Sequence, residues 1–564
     1  MDTRRWILAI ALSFLVLLGY NLLFVKKAPE TQLPAGQAAQ TETGPVKQAP
    51  EEKAAPVQAP ALTQKNESKP LILNQITSGG IEEIKVSTSL YKATWSNKGG
   101  VLTSWKLRKH KDEKKGDLDL VGKASKENGV FPFSLQDEGA QAGKNGIAGI
   151  SLNVYNRPFY KVTGSGLDIK DGEKAELKFQ FSDGKELEVE KTFTFYGGKY
   201  EFDIAVNIRR NGQPVEPRIL WGPGIGSTSE AEMKQRFGGG GGASVLASGK
   251  VYRLNENAKN YKPEASAFNF VNWAAYDDNY FAALLVPAGE SGTAAFLKEE
   301  APPVSFYLLS VSNPGKAFVG PKEYDKLSEF GHNAKKIVRF GFFGFFSEIL
   351  FYAIKFIHKS VPNWGFAIII LTFIIKVLFF PLTISQTKSQ AKMMELQPKL
   401  KSIKAKYKKA KTDITQRRAM QEETMKLYKE HGVNPAGGCL PLLIQIPFFF
   451  GLFSMLRVVI EFRQSPWILW IKDLSAADPF YVTPILVGLT QFISQKMTPT
   501  AGDSTQQRMM LMMPVIMTFL FLQLQSGLVL YMLTQNVLQI VQQYIMNRTM
   551  LSKKSVSHGQ RRKN

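Results

Sequence analysis

Lys376 is a lone cation in an otherwise apolar run, WGFAIIILTFIIKVLFFPL from Trp364 to Leu382. A charged side chain near the middle of a bilayer costs roughly 2.5 to 3.5 kcal/mol on insertion scales, so such a residue usually faces a protein interior or water. If the run ends near Ile384, Lys376 lies eight residues inside it. That depth is roughly 12 Å at about 1.5 Å per residue, and a lysine stem covers about half of it. Either the stem snorkels toward the nearer headgroups, or the ammonium belongs to a polar interior.

Other apolar runs carry polar side chains at a similar depth. Counted inward from the ends with basic flanks, Gln445 is seven residues deep, Gln491 six and Gln539 seven, and Thr372 lies one turn from Lys376 on the same helical face. The opposite halves, such as Ala367 to Leu371, Phe448 to Phe453 and Ile485 to Leu489, are nearly free of polar groups, although Gln523 and Gln525 lie near that end. Convergence of polar groups from four segments favours a shared polar cavity over snorkelling alone. A cavity closed at one end does not suit a channel, which needs polar lining throughout. A transporter of alternating access commonly shows paired repeats, and no internal repeat is visible here.

The elements that would position these residues are membrane spans. With 564 residues and a net charge of +23, the chain combines a polar N-terminal half with an apolar C-terminal third. Its basic residues cluster beside apolar runs, which points to anionic headgroups or ribosomal RNA as partners. Cys439 is the only cysteine, so no disulfide, cysteine-rich zinc site or CxxC pair forms within one chain, and no cofactor is expected. Trp6 to Val25 is long enough to cross a bilayer. TRRWIL before it resembles a twin-arginine signal, but Lys26 and Lys27 stand where a cleavage site would be, favouring an uncleaved anchor. Five more apolar segments follow, at about 363–384, 438–460, 480–497, 508–525 and 527–546.

Residues 385–433 hold 13 Lys/Arg against 5 Asp/Glu, the tail after Met546 holds 6 against none, and the loop at 461–479 holds 2 against 3. The excess of positive charge places the first two in the cytoplasm and the third outside, with Trp467 and Trp470 at an outer aromatic belt. The predicted fold is mixed. It comprises a polytopic α-helical core of six spans, a large β-sandwich on the periplasmic side and a cytoplasmic helical hairpin, with both termini cytoplasmic.

Its parts are a signal anchor (1–27), a disordered linker (28–70), the sandwich (71–334), an interfacial amphipathic helix (335–362), a core of five spans (363–546) containing the hairpin (385–433), and a basic tail (547–564). The sandwich is read from period-two alternation at Leu187, Val189, Phe193 and Phe195, then Tyr200 to Ile208, with turns at Gly197-Gly198, at 182–185 and at 97–100. Glycines 238 to 242 lack the Gly-Lys-Ser/Thr that would make a phosphate cradle and read as a loop. The hairpin is read from a heptad seam at Met393, Leu396, Leu400, Ile403 and Tyr407, with a return helix over Met420 to Tyr428. It is either a docking surface or a solvated topology element. Only His110 of the five histidines falls in the sandwich core, and neither H-E-x-x-H nor G-x-S-x-G occurs, which leaves catalysis by that domain without a motif.

NPAGGCLPLLIQIP at Asn434 to Pro447, with Leu396-Gln397-Pro398 and SGLVLY at Ser526 to Tyr531, resembles the YidC/Oxa family of membrane protein insertases. The resemblance covers about 335–546. It implies a bacterial inner-membrane insertase and chaperone that acts on nascent inner-membrane proteins, alone or with the Sec translocon, through a polar groove and without ATP. It also implies a periplasmic domain with a galactose-mutarotase-like fold and no mutarotase activity. In this family the groove cation is usually arginine, and the matching position here is Lys376, a compact charge without a planar fork. Family substrate contacts match Thr372 and Met532, the latter position being often aromatic. A solute transporter would instead show substrate-dependent flux, and a carbohydrate enzyme would keep activity without the membrane core.

Overall fold

The computed structural model describes residues 74–112, 115–137, 153–164, 166–226, 242–254, 267–301, 304–407, 413–432, 440–497 and 504–561. The expected anchor, the linker at 28–70, glycines 238–241 and the polar turn at 408–412 lie outside the described residues. The chain divides into two compact units, one ending at Ile337 and one covering Val338–Asn564.

In the first unit the alternating residues become strands Lys174–Ser182, Leu187–Tyr196 and Glu201–Arg210. They pair antiparallel, with Phe193 opposite Leu177 on one side and Ile204 on the other. These strands belong to a ten-stranded sheet; Glu83–Ser87, Tyr91–Ser96 and Val101–Lys111 form the middle of a five-stranded one, and a four-stranded sheet completes the unit. The first two sheets meet through aromatic rings. Trp95 lies 4.3 Å from Phe193 and 5.3 Å from Phe133 between centroids, and Trp105 lies 5.5 Å from Phe202. Such rings bury large apolar areas and prefer offset or edge contacts, which suits the middle of a sandwich.

One inward position of this pattern is not apolar. Between Val189 and Phe193 stands Lys191, fully buried, whose Nζ donates to the carbonyls of Gly99 at 2.7 Å, Phe133 at 2.9 Å and Gly100 at 3.3 Å. The ammonium thus ties the turn at 97–100 and the segment around Phe133 to the long sheet. Burial pushes its pKa down to about 7.

Among the described residues the first unit also holds the short helices α1 (Lys123–Asn128) and α2 (Tyr324–Phe330). The second unit is helical: α3 (Gly344–Ser360), α4 (Trp364–Leu378), α5 (Phe380–Glu395), α6 (Gln397–Lys406), α7 (Ile414–Glu430), α8 (Leu440–Val458), α9 (Val482–Met497), α10 (Ser504–Phe521) and α11 (Ser526–Arg561). Among the described residues no single helix is long and apolar enough to cross a membrane; α4 and α5 pass that test only as a pair, bent by 58°. The segment expected to run unbroken over 363–384 therefore breaks at Phe379. Pro381, in the first turn of α5, has no N–H to give to the carbonyl four residues back, so the chain changes direction there.

The outward surface of this unit is apolar. Ile485 and Leu489 on α9, and Val515, Ile516 and Phe519 on α10, are all exposed. Helix α3 buries Leu350, Phe351 and Ile354 while exposing Phe345, Ile349, Tyr352 and Phe356, and its Ser347 Oγ donates to Gly451 O on α8 at 2.9 Å. Leu396 and Ile403 are the buried members of the heptad seam, and Lys406 pairs with Glu423 at 3.0 Å between α6 and α7.

Candidate functional site

Helix α4 starts on Asn363, whose side chain accepts from Phe366 N, and its buried stripe reads Gly365, Ile368, Leu371, Thr372, Ile375 and Lys376. The opposite face exposes Phe366, Phe373 and Val377. Lys376 therefore lies on the helix-packing face and is only 7% exposed. It also falls in the last turn of α4, where the carbonyl ends favour a cation. Its Nζ donates to Gln539 Oε1 on α11 at 2.5 Å.

Helix directions follow from such contacts. Gly527 approaches Ile368, Gln539 meets Lys376, and Gln542 Nε2 donates to Thr383 Oγ1 on α5 at 2.9 Å. Residue numbers rise together, so α4 and α11 run in the same direction. Helix α9 runs with them, since Val487 packs on Val529 and Asn547 Nδ2 donates to Met497 O at 3.3 Å. Helix α8 runs the other way: Gln445 bonds the Tyr531 hydroxyl, whereas Leu456 approaches Gly527.

One end of this bundle is closed by the loop at 461–481. Ser526 N and Oγ both donate to Ala476 O, at 2.7 and 2.8 Å, and Asn363 Nδ2 donates to Trp467 O at 3.2 Å. Asp478 accepts from Trp470 Nε1, Phe480 N, Thr483 N and Thr483 Oγ1. Leu528, Val529, Leu530 and Tyr531 of the SGLVLY string are all buried at this end.

The polar residues lie toward the other end, though not all at one level. Gln539 meets Lys376 directly. Gln445 instead meets Tyr531, eight residues earlier on α11, which is about 12 Å nearer the loop. Gln491 is half-buried beside Thr490, whose Oγ1 accepts from Asn536 Nδ2 at 3.3 Å. Thr372 is fully buried and donates its hydroxyl to Ile368 O at 2.6 Å, within its own helix. Met532 packs with the Val487, Phe521 and Val529 cluster, between α9, α10 and α11.

Several residues of this region escape a count of depth. Gln535, Gln539 and Gln542 are spaced four and three apart, which puts them on one face of α11. Asn536 ties α11 to α9, with Nδ2 donating to Val487 O at 3.2 Å. The four-three spacing was readable in the sequence, but only once α11 is known to be one continuous helix. The side-chain oxygens of Gln495, Gln535 and Gln542 are buried with no hydrogen-bond partner among the described residues.

Family models described as 60Kd inner membrane protein and YidC periplasmic domain match residues 356–554 and 83–353. A curated membrane protein insertase YidC from Geobacter metallireducens is 34% identical over 97% of this chain and 98% of its own length. Solved structures also align. An active YidC insertase with its first transmembrane domain resolved is 21% identical over 84% of this chain and 94% of that one, with a TM-score of 0.36. A galactose mutarotase-like protein from Lactobacillus casei is 10% identical over 41% of this chain and 87% of that one, with a TM-score of 0.28. On the family models and the full-length likeness to curated relatives, the chain belongs to the YidC family of membrane protein insertases.

Proposed function

We propose that this chain inserts and helps fold inner-membrane proteins by receiving the polar tail of a nascent substrate in a hydrated inner-leaflet groove around Lys376. It acts alone or beside the Sec translocon, and it hydrolyses no ATP. The observation that carries the reading is the Lys376–Gln539 contact on the inward face of α4, with unpartnered glutamine oxygens nearby. Buried polar groups without protein partners need water or a ligand, and here both the groups and the cation lie away from the closed end.

In this reading six spans cross the bilayer, counting the anchor, and both termini, the hairpin and the basic tail are cytoplasmic. The β-rich unit is periplasmic, with a mutarotase-like fold and no enzymatic activity. The hairpin and tail meet the ribosome, and the apolar outer faces of the helices and α3 meet lipid.

The energetics need no nucleotide. Burying about twenty apolar residues at roughly −0.3 to −0.6 kcal/mol each yields about −6 to −12 kcal/mol. The barrier is the tail, whose charges would cost roughly 2.5 to 3.5 kcal/mol each in the bilayer centre. A wet groove reaching mid-membrane removes the first half of that path. Lys376 attracts an acidic tail, Gln445, Gln491 and Gln539 keep the path polar, and the apolar segment slides into lipid past Met532. The membrane potential adds roughly 2.3 kcal/mol per charge per 100 mV for an acidic tail moving outward.

The test is reconstitution of the purified chain in liposomes without nucleotide, followed by protease protection of a single-span substrate. Protection well above that in empty liposomes supports the reading. Solute flux with no protection would favour a transporter instead.

A further inference from the structure

In the proposed groove two buried hydrogen-bond acceptors lack a partner among the described residues, while three hydroxyl donors are already used. Thr372 donates to Ile368 O at 2.6 Å, Thr383 to Phe380 O at 2.9 Å and Thr387 to Thr383 O at 3.0 Å, so these hydroxyls are spent within their own helices. Lys376 brings the ammonium protons, one of them already directed at Gln539 Oε1. The amide oxygens of Gln535 and Gln542 are both buried and without a partner among the described residues. Gln542 is 6% exposed, and its Nε2 is held by Thr383 Oγ1, which fixes the orientation of the orphan oxygen.

Gln535 and Gln542 flank Gln539 on one face of α11. Seven residues of helix separate them, about 10 Å of axial rise, the length of about three residues of extended chain. A side-chain charge is not the only obstacle for a tail crossing the bilayer. Each backbone N–H that leaves water without a partner costs on the order of 1 to 3 kcal/mol, and a cation cannot accept from it.

We propose that the Gln535 and Gln542 side-chain oxygens form an acceptor strip that binds backbone N–H groups of the extended substrate tail, while Lys376 takes its carbonyl or carboxylate oxygens. The inference rests on the groove reading and names the substrate chemistry the groove recognises: peptide N–H donors, whatever the side-chain sequence. It also predicts that the strip works on neutral tails, where attraction to Lys376 gives little.

The test uses full-length chain in liposomes and a ligated single-span substrate with a short Gly-Ser tail carrying one Asp. In a second version one tail amide is replaced by an ester, which removes that N–H and keeps the shape. With the wild-type chain the amide tail should cross about as fast as the ester tail, because the strip replaces the water that its N–H gives up. In Gln535→Leu/Gln542→Leu the amide tail should fall about five-fold behind the ester tail, the equivalent of one lost hydrogen bond, and Gln542→Glu, which keeps an acceptor, should stay near the wild-type ratio. An amide-to-ester ratio that is the same in the wild type and the double leucine variant overturns the strip. Lys376→Glu is measured in parallel. If it slows the acidic tail while the ratio stays unchanged, the strip fails and the groove stands; if neither matters, both fail.

Discussion

The ammonium of Lys376 and the side-chain oxygen of Gln539 meet at 2.5 Å between two helices that run in the same direction. The contact joins the last turn of α4 to the middle of α11, immediately before the bend at Phe379. The cation is thereby held on the protein side of the helix, opposite Phe373 and Val377 on the exposed face. Lysine suffices for such a contact, because one donor reaches one amide oxygen and no planar fork is needed.

At the closed end, the Trp467 ring packs directly on the Gly365 backbone, and a Cβ there would overlap the indole. Gly365→Ala should destabilise the helical unit by about 1 to 3 kcal/mol through overpacking. Thermal unfolding in detergent checks this, and Trp467→Ala in the same chain should recover part of the loss. An unchanged midpoint for Gly365→Ala alone would refute the close packing.

Asp478 organises the 461–481 loop. Burial alone would raise its carboxyl, but bonds from Thr483, Phe480 and Trp470 outweigh it and hold the pKa below the usual 3.8. A depressed folded value means that the carboxylate stabilises the loop above the ordinary value, and that this is lost as pH falls through the folded one. Amide exchange in 466–483, measured well above that range, should rise in Asp478→Ala while the β-rich unit is unaffected. Equal protection in both chains would show that the network does not hold the loop.

Lys191 predicts a pH response of the same sign in the first unit, in a higher pH window. Its folded pKa lies near 7 against an ordinary 10.5, so between those values the unfolded chain binds more protons. Stability should therefore rise with pH across that window, by at most about 1.4 kcal/mol per pH unit for a single proton. Urea unfolding of the full chain, followed through the aromatic core at pH 7 and pH 9, should show the rise. Lys191→Met should remove it. A wild-type midpoint that falls between pH 7 and 9 would contradict the assignment.

The strands around Leu187 and Tyr200 were legible because each has one buried face, and a buried face writes period two into the sequence. Lys191 was the gap in that pattern. A lysine at an inward position reads as an interruption until three carbonyls are seen around it. The helices were legible from apolar runs, but the break at Phe379 was not, since hydropathy averages across Pro381. Gln539 comes level with Lys376 because α11 runs parallel to α4. Gln445 meets Tyr531 rather than Gln539 because counting from helix ends ignores axial offset, and α8 runs antiparallel to α11. Gln535, Asn536 and Gln542 needed the face of α11 to be known, which only its partners define.

The central claim is that the Lys376 charge in a hydrated groove draws substrate tails into the membrane. It is tested most directly by comparing insertion of acidic-tailed and basic-tailed single-span substrates into liposomes containing wild type, Lys376→Arg or Lys376→Glu. Wild type and Lys376→Arg should insert the acidic tail faster, and Lys376→Glu should reverse the preference, with a change of about tenfold or more in the acidic-to-basic ratio for each 1.4 kcal/mol of altered interaction. An acidic-tailed substrate that inserts equally well with Lys376→Glu would contradict the account.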